Sequence, residues 1–146
     1  MMKLKIKKTH PDAVTPTRGY PNDAGLDLTV VSIVKDINKR TVVYDTGIAV
    51  DPPKGYYCEV VPRSSTAKLS ISLANGTGII DPSYRGSIRL AIRFHDTDTH
   101  LHLPSDYIGK RLCQLLIKPL HIVDIEEVMC LDDTTRGDGA YGSTGQ

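Results

Sequence analysis

Several short stretches of this sequence carry residue types suited to binding an anion. Pro62-Arg63-Ser64-Ser65 follows an apolar run and sets a guanidinium beside two hydroxyls. A fixed fork of donors next to small donors suits a polyphosphate. The same residues also read as a capped helical turn with Ser64 or Ser65 as the N-cap. Both readings can hold together, because a helix N-terminus itself attracts phosphate. Gln114 sits among Leu112, Cys113, Leu115 and Leu116. An amide in such an apolar run is either satisfied locally or directed into a site. Gly76 and Gly78, beside Asn75, allow the backbone to come close to a flat ligand.

Other polar residues are ambiguous in isolation. Asp27 lies between Leu26 and Leu28, which point to the opposite side, so alone it reads as an exposed strand aspartate. Asp81, directly before Pro82, alone reads as a turn former. The segment Thr134–Gln146 carries Gly137, Gly139, Gly142 and Gly145 and one aromatic residue, Tyr141. It has no core-facing stripe, and taken alone it is a frayed terminus. His95, Asp96, Asp98, His100 and His102 are metal-ligand types. Their stretch is polar and turn-like, with nothing to make them converge, so it is read as a loop. The lysines from Lys3 to Lys8 are read as a solvated or edge-strand face, not a nucleic-acid patch.

The elements that must position these residues are strands. Ile88, Leu90, Ile92 and Phe94 alternate with Ser87, Arg89, Ala91 and Arg93, which predicts a strand over Ser87–Phe94 with one face buried. Leu4 and Ile6 alternate with lysines in the same way. Further strands are expected over Leu26–Val34, Arg40–Val50, Tyr56–Val61, Leu112–Ile117 and Ile122–Val128. Asp51-Pro52-Pro53-Lys54-Gly55 and Asp81-Pro82-Ser83-Tyr84 supply turns. The helix candidate is one short turn near Ser65–Leu69. Many short strands with turns between them imply a barrel, sandwich or jelly roll.

Composition bounds the rest. A chain of 146 residues with 40% apolar and 24% charged side chains is one ordinary domain with a real core. Eighteen basic and seventeen acidic residues leave a net charge of +1, so no global field favours duplex DNA or a membrane surface. Any anion must be met by a local site. Cys58, Cys113 and Cys130 are odd in number, widely spaced and form no CxxC. They imply a reducing, cytosol-like compartment and no zinc site. The N-terminal stretch has no apolar run long enough for a signal peptide or a membrane span.

Five separated segments together resemble the trimeric dUTPase family. They are Ala24-Gly25-Leu26-Asp27-Leu28; Pro62-Arg63-Ser64-Ser65; Asn75 through Gly78 and Ile80-Asp81 to Tyr84-Arg85-Gly86; Gly109-Lys110-Arg111-Leu112-Cys113-Gln114-Leu115; and Arg136-Gly137-Asp138-Gly139-Ala140-Tyr141-Gly142-Ser143-Thr144-Gly145. Each alone is a weak pattern; all five in the family's order are a strong one. The resemblance implies an all-β, jelly-roll-like barrel over residues 1–133 and a flexible Gly-rich arm over 134–146 that closes over a neighbouring active site. It implies a homotrimer with a cytoplasmic location, or the reducing compartment of a host cell if viral. It implies a Mg²⁺-dependent dUTP diphosphatase, in which water attacks the α-phosphorus in line and releases dUMP and pyrophosphate. No membrane or nucleic-acid partner is expected.

Site roles follow from the same resemblance. Asp81 matches the family's general base, a carboxylate that takes a proton from the attacking water. Asp27 matches the aspartate that orders water around the metal, a task one carboxylate can perform because Mg²⁺ keeps several waters and takes phosphate ligands. Asn75 with the backbone of Gly78, Ile79 and Ile80 would recognise uracil, and Tyr84 would lie against the deoxyribose. Arg63, Ser64, Ser65, Gln114, Arg136, Ser143 and Thr144 would contact the phosphates, the tail's backbone N–H groups wrapping them as a nest. Tyr141 would stack on the base. The pattern departs from the family at Ala140, where glycine is usual, and at Tyr141, where phenylalanine is commonest; tyrosine keeps the π-face.

Two rival functions are weighed. The dCTP deaminases resemble this family in fold and in their Arg-Ser-Ser and Ile-Asp-Pro segments. Their catalytic glutamate would fall on Ala91, and they lack a tail like Arg136–Gly145, so the pyrophosphatase reading is favoured. A non-catalytic nucleotide-binding or regulatory module is disfavoured because Asp27, Arg63, Ser64, Asp81, Gln114 and Arg136 are all present.

Overall fold

The computed structural model describes residues 2–38, 40–95 and 103–140. Within them the chain forms β1 (Lys5–Lys8), β2 (Leu26–Thr29), β3 (Ser32–Asn38), β4 (Thr41–Asp45), β5 (Ile48–Asp51), β6 (Tyr56–Pro62), β7 (Ile71–Leu73), β8 (Gly78–Ile80), β9 (Arg89–Phe94) and β10 (Arg111–Pro119). Two 3₁₀ turns, Ser64–Lys68 and Pro104–Tyr107, complete the regular structure of the described residues. The first of these is the short helical turn expected near Ser65–Leu69.

The strands form two four-stranded sheets, ordered β2-β10-β6-β8 and β3-β4-β9-β7, and a two-stranded ribbon of β1 and β5. Every ladder is antiparallel. Leu28, Val60 and Leu115 from the first sheet share one apolar core with Tyr44, Leu90 and Ile92 from the second. The architecture is jelly-roll-like, with the sheets left open among the described residues rather than closed into a cylinder. On β9, Leu90 and Ile92 are fully buried while Arg89 and Arg93 are exposed, as the alternation requires. Cys58 and Cys113 are buried in the core, where burial pushes their thiols up to about 11 and about 12. They pack as small apolar groups.

Two expected strands are each split. Leu26–Val34 breaks at Val30-Val31 into β2 and β3, which belong to different sheets. Arg40–Val50 breaks at Thr46-Gly47 into β4 and β5. Gly47 has φ 65°, and a Cβ there would stand 2.7 Å from His10 Cβ and 2.9 Å from Ala13 Cβ. Val30, Val31 and Thr46 are buried at these corners, so the apolar pattern runs through the break uninterrupted. Periodicity cannot detect a strand that changes sheet while facing the same core.

The strand expected over Ile122–Val128 does not form within the described chain. After β10, Leu120 N donates to Gly55 O at 2.8 Å, and residues 121–138 are all exposed. Ile122, Ile125, Met129 and Leu131 are exposed by 86–101%. The apolar residues of the expected strand, Ile122, Val123, Ile125 and Val128, do not alternate strictly, and no strand among the described residues receives the stretch. Among the described residues, no helix is long and apolar enough to cross a membrane.

Candidate active site

β2, β10 and the end of β6 build a cleft lined by charged and amide side chains. Gln114 on β10 stands opposite Asp27 on β2 and opposite Val61 on β6, so the side chains of Gln114 and Asp27 share a sheet face. Asp27 is not the exposed residue that its local pattern suggests, since its side chain is only 11% exposed. Its Oδ1 lies 2.7 Å from Arg63 Nε and its Oδ2 3.0 Å from Arg111 Nη1. Arg63 Nη1 also donates to Arg111 O at 3.3 Å. Two guanidiniums against one carboxylate leave the cluster with one positive charge in excess.

Backbone anchors hold this cluster in place. Arg63 N donates to Leu112 O at 3.3 Å, and Thr66 Oγ1 donates to the same carbonyl at 2.7 Å. Arg63, extended at φ −78° and ψ 154°, is itself the N-cap of the 3₁₀ turn, with no side-chain cap. The expected capping by Ser64 or Ser65 is therefore corrected, and both residues are exposed on the turn. Gln114 Nε2 donates to Pro62 O at 3.1 Å. A Cβ on Gly25 would overlap the Gln114 amide, so any side chain there would have to displace it. Asp27 N donates to Thr17 O at 2.9 Å, which brings the 17–25 loop over the cleft. The cleft measures about 340 Å³ and is lined by Gly19, Asp23, Asp27, Arg63, Ser64 and Gln114.

The second group of predicted residues lies elsewhere. β7 pairs with β9 and β8 with β6, in different sheets, and the connection between them turns at Asn75 and Gly76, the latter at φ 70°. Gly76 N donates to Leu73 O at 3.0 Å. A Cβ on Gly78 would stand 3.3 Å from Val60 Cβ, so β8 lies close on β6. β8 is the edge of its sheet and pairs only with β6 among the described residues. Asp81 follows it, exposed, in a turn closed by Tyr84 N donating to Asp81 O at 3.0 Å. Tyr84 Oη donates to Ser87 O at 3.0 Å, and a Cβ on Gly86 would overlap the tyrosine ring. Asp81 lines a separate cleft of about 440 Å³ with Tyr57, Ile79, Pro82, Pro119 and His121. Tyr57 Oη donates to Glu59 Oε1, and that bond pushes the phenol pKa up.

These two groups do not meet within one chain. Ile80 pairs with Cys58, so Asp81 sits level with Tyr57 at the far end of β6 from Arg63. Six residues of strand separate the two levels, about 20 Å at roughly 3.3 Å per residue. Arg136 joins neither group; its Nε donates to Gly139 O at 2.9 Å in an exposed turn. Tyr141, Ser143 and Thr144 lie outside the described residues, as do Asp96, Asp98, His100 and His102. Arg111 joins the site through Asp27, a role that its place in the Gly109–Leu115 motif does not by itself reveal. Tyr57 and His121 carried no local signal.

Among the described residues, no three His, Cys, Asp or Glu side chains stand close enough to cage a metal ion. A metal held mainly by substrate oxygens and water fits these residues better. The Asp27 carboxylate has about four acceptor positions, so its two arginine contacts leave lone pairs for a water.

A family model described as dUTPase matches residues 12–145. The deoxyuridine 5'-triphosphate nucleotidohydrolase of Arabidopsis thaliana is 42% identical over 145 residues, covering 97% of this chain and 82% of its own length. The dUTPase of Staphylococcus bacteriophage 80alpha, solved with dUpNHpp, superposes with a TM-score of 0.82 at 24% identity over 99% of each chain. A mutant dUTPase from phage phi11 of S. aureus, described with a coordinated structural Mg(II) ion, gives 0.72 at 23% identity over 87% of this chain and 97% of its own.

Proposed function

The chain belongs to the dUTPase family, and from that premise we propose that it hydrolyses dUTP to dUMP and pyrophosphate on sites shared between three chains. The observation that carries this reading is the separation of Asp81 from Arg63. Each chain offers an anion cleft and, about 20 Å away measured along β6, an exposed carboxylate beside the β8 edge. Neither half is a complete hydrolytic centre. Together on adjacent chains they would be.

The exposed segment after β10 supports the assembly. Ile122, Ile125, Met129 and Leu131 present apolar surface that water alone does not favour. A neighbouring copy supplies the missing edge. The Gly-rich stretch 134–146 then closes over a neighbour's nucleotide, with Arg136 on the terminal phosphate and Tyr141 on the base.

In this reading the β7–β8 turn and the β8 edge of one chain receive uracil, using Asn75 and the backbone of Gly78, Ile79 and Ile80. Tyr84 packs against the deoxyribose and leaves no room for a 2′-hydroxyl. Asp81 Oδ accepts a proton from water as that water forms a bond to the α-phosphorus. The bond from the α-phosphorus to its bridging oxygen breaks, and pyrophosphate leaves with the electron pair. Arg63, Ser64 and Gln114 of another chain, with Ser65 at the rim, bind the phosphate oxygens. Asp27 keeps Arg63 and Arg111 oriented toward them and would accept a hydrogen bond from a water on a bound Mg²⁺. Mg²⁺ bound to the phosphates would neutralise charge that develops on the leaving group.

A nucleotide panel tests the function. With Mg²⁺, dUTP should yield dUMP and pyrophosphate, while UTP, dTTP and dCTP should be poor substrates. Conversion of dCTP to dUTP would instead assign a deaminase. Ala91, half-buried on β9 opposite Val43, offers no carboxylate for that chemistry.

A further inference from the structure

Arg85 follows Tyr84 and holds three acceptors at once. Its Nη1 donates to the carbonyl oxygens of Pro82 at 2.5 Å and Tyr84 at 3.0 Å. Its Nη2 lies 2.7 Å from Asp51 Oδ1, at the end of β5. Asp51 Oδ2 is 3.1 Å from Lys5 Nζ, on the β1 residue paired with it across the ribbon. One guanidinium therefore fastens the 81–84 turn to a different sheet. The Lys5 hydrogen bond, and then the Arg85 charge, hold the Asp51 carboxyl below its usual range, so it stays ionised at neutral pH.

Magnitudes separate orientation from stability. Lys5, Arg85 and Asp51 have side chains 79%, 56% and 35% exposed. Ion pairs this exposed contribute little to folding, a median of about 0–1 kcal/mol. Their geometric effect is larger, because Arg85 takes up two carbonyls of the turn in a rigid fork that a lysine cannot reproduce. At its other end the turn is fixed by Tyr84 Oη on Ser87 O, and Ser87 Oγ donates in turn to Asp45 Oδ1.

We propose that Arg85, braced by Asp51 and Lys5, is a positioning residue that sets where the Asp81 carboxylate and the Tyr84 ring stand relative to the nucleotide. The inference rests on the reading that Asp81 and Tyr84 face the substrate. Arg85 touches no reacting atom in it. Loosening Arg85 should misplace the base and the sugar gate together, whereas a merely structural defect would lower activity on every nucleotide alike.

The test compares full-length wild type with Arg85→Ala, Arg85→Lys, Asp51→Ala and the Arg85→Ala/Asp51→Ala double variant, on dUTP and UTP with Mg²⁺. Arg85→Ala should fold and assemble, lose about 10²-fold in kcat, the scale of an ångström of misplacement, and discriminate less between dUTP and UTP. Arg85→Lys should resemble Arg85→Ala. The double variant should be no worse than Arg85→Ala, since both substitutions break one linkage. Low millimolar guanidinium should restore part of the Arg85→Ala activity, and methylammonium should not. Unchanged dUTP/UTP selectivity, or additive losses in the double variant, overturns the proposal. If Arg85→Ala fails to fold, Asp51→Asn carries the same selectivity test. An Asp81→Asn control separates the two readings. Retained turnover there removes the parent reading and this inference with it; lost turnover there with normal selectivity in Arg85→Ala removes only the inference.

Discussion

Asp27 and Arg63 meet at 2.7 Å between Oδ1 and Nε, with the carboxylate 11% and the guanidinium 27% exposed. The contact makes a strand aspartate the brace of two arginines at the β2–β10–β6 cleft. It also explains how an arginine on a turn keeps one direction without a side-chain cap.

Removing that charge should therefore disturb binding before folding. Asp27→Asn keeps the shape but releases Arg63 and Arg111 from their shared partner. A hydrogen bond to a charged group contributes about 1.5–3 kcal/mol, so nucleotide affinity should fall by roughly 10- to 100-fold. Titration with a non-hydrolysable dUTP analogue measures it. Unaltered affinity would show that the arginines orient without Asp27.

Asp81→Asn should leave nucleotide binding in place and lower turnover by about 10²–10⁴, the range for losing a general base. If sites are shared, Asp81→Asn chains refolded with chains truncated after Asp133 should regain activity, because mixed trimers contain one intact set of parts. No recovery in mixtures that light scattering shows to be trimeric would place each site within one chain.

Gly25→Ala should be costly although the substitution is small. The new Cβ would overlap the Gln114 amide, which is held by Pro62 O. Overpacking of this kind costs about 1–3 kcal/mol, read by thermal or denaturant melting, and should displace Gln114 from the phosphates. A Gly25→Ala enzyme with normal stability and kcat/KM would show that the 17–25 loop yields freely.

The exposed apolar segment should decide assembly. Replacing Ile122 and Ile125 by aspartate removes two side chains whose burial contributes about 1.5–3 kcal/mol each and adds like charges beside Asp124 and Glu126. Sedimentation should show dissociation, with activity lost in parallel. An intact, active oligomer would mean that another surface holds the chains together.

The polar motifs were legible in the sequence because their identities are chemical. An arginine with two hydroxyls, a carboxylate before a proline and an amide in an apolar strand each declare a capacity without reference to the fold. The strands were legible for a local reason as well, since period-2 alternation records which face is buried. β9 follows its pattern residue by residue. Where the chain turns a corner the pattern fails. At Val30-Val31 and at Gly47 both flanking strands face one core, so burial continues while the hydrogen-bonding partner changes.

Convergence belonged to the tertiary structure. Asp27 looked exposed because its neighbours in sequence are apolar and its partners, Arg63 and Arg111, lie 36 and 84 residues away. Only the order β2-β10-β6 brings them to one carboxylate. The β6–β8 register sets Asp81, just after β8, level with Tyr57 at the other end of β6, beyond the reach of Arg63. The sequence by itself determined which groups can bind and react; the pairing of strands decided which of them stand together, because a contact between distant residues is fixed by sheet order and register, and neither is written in any local run of side chains.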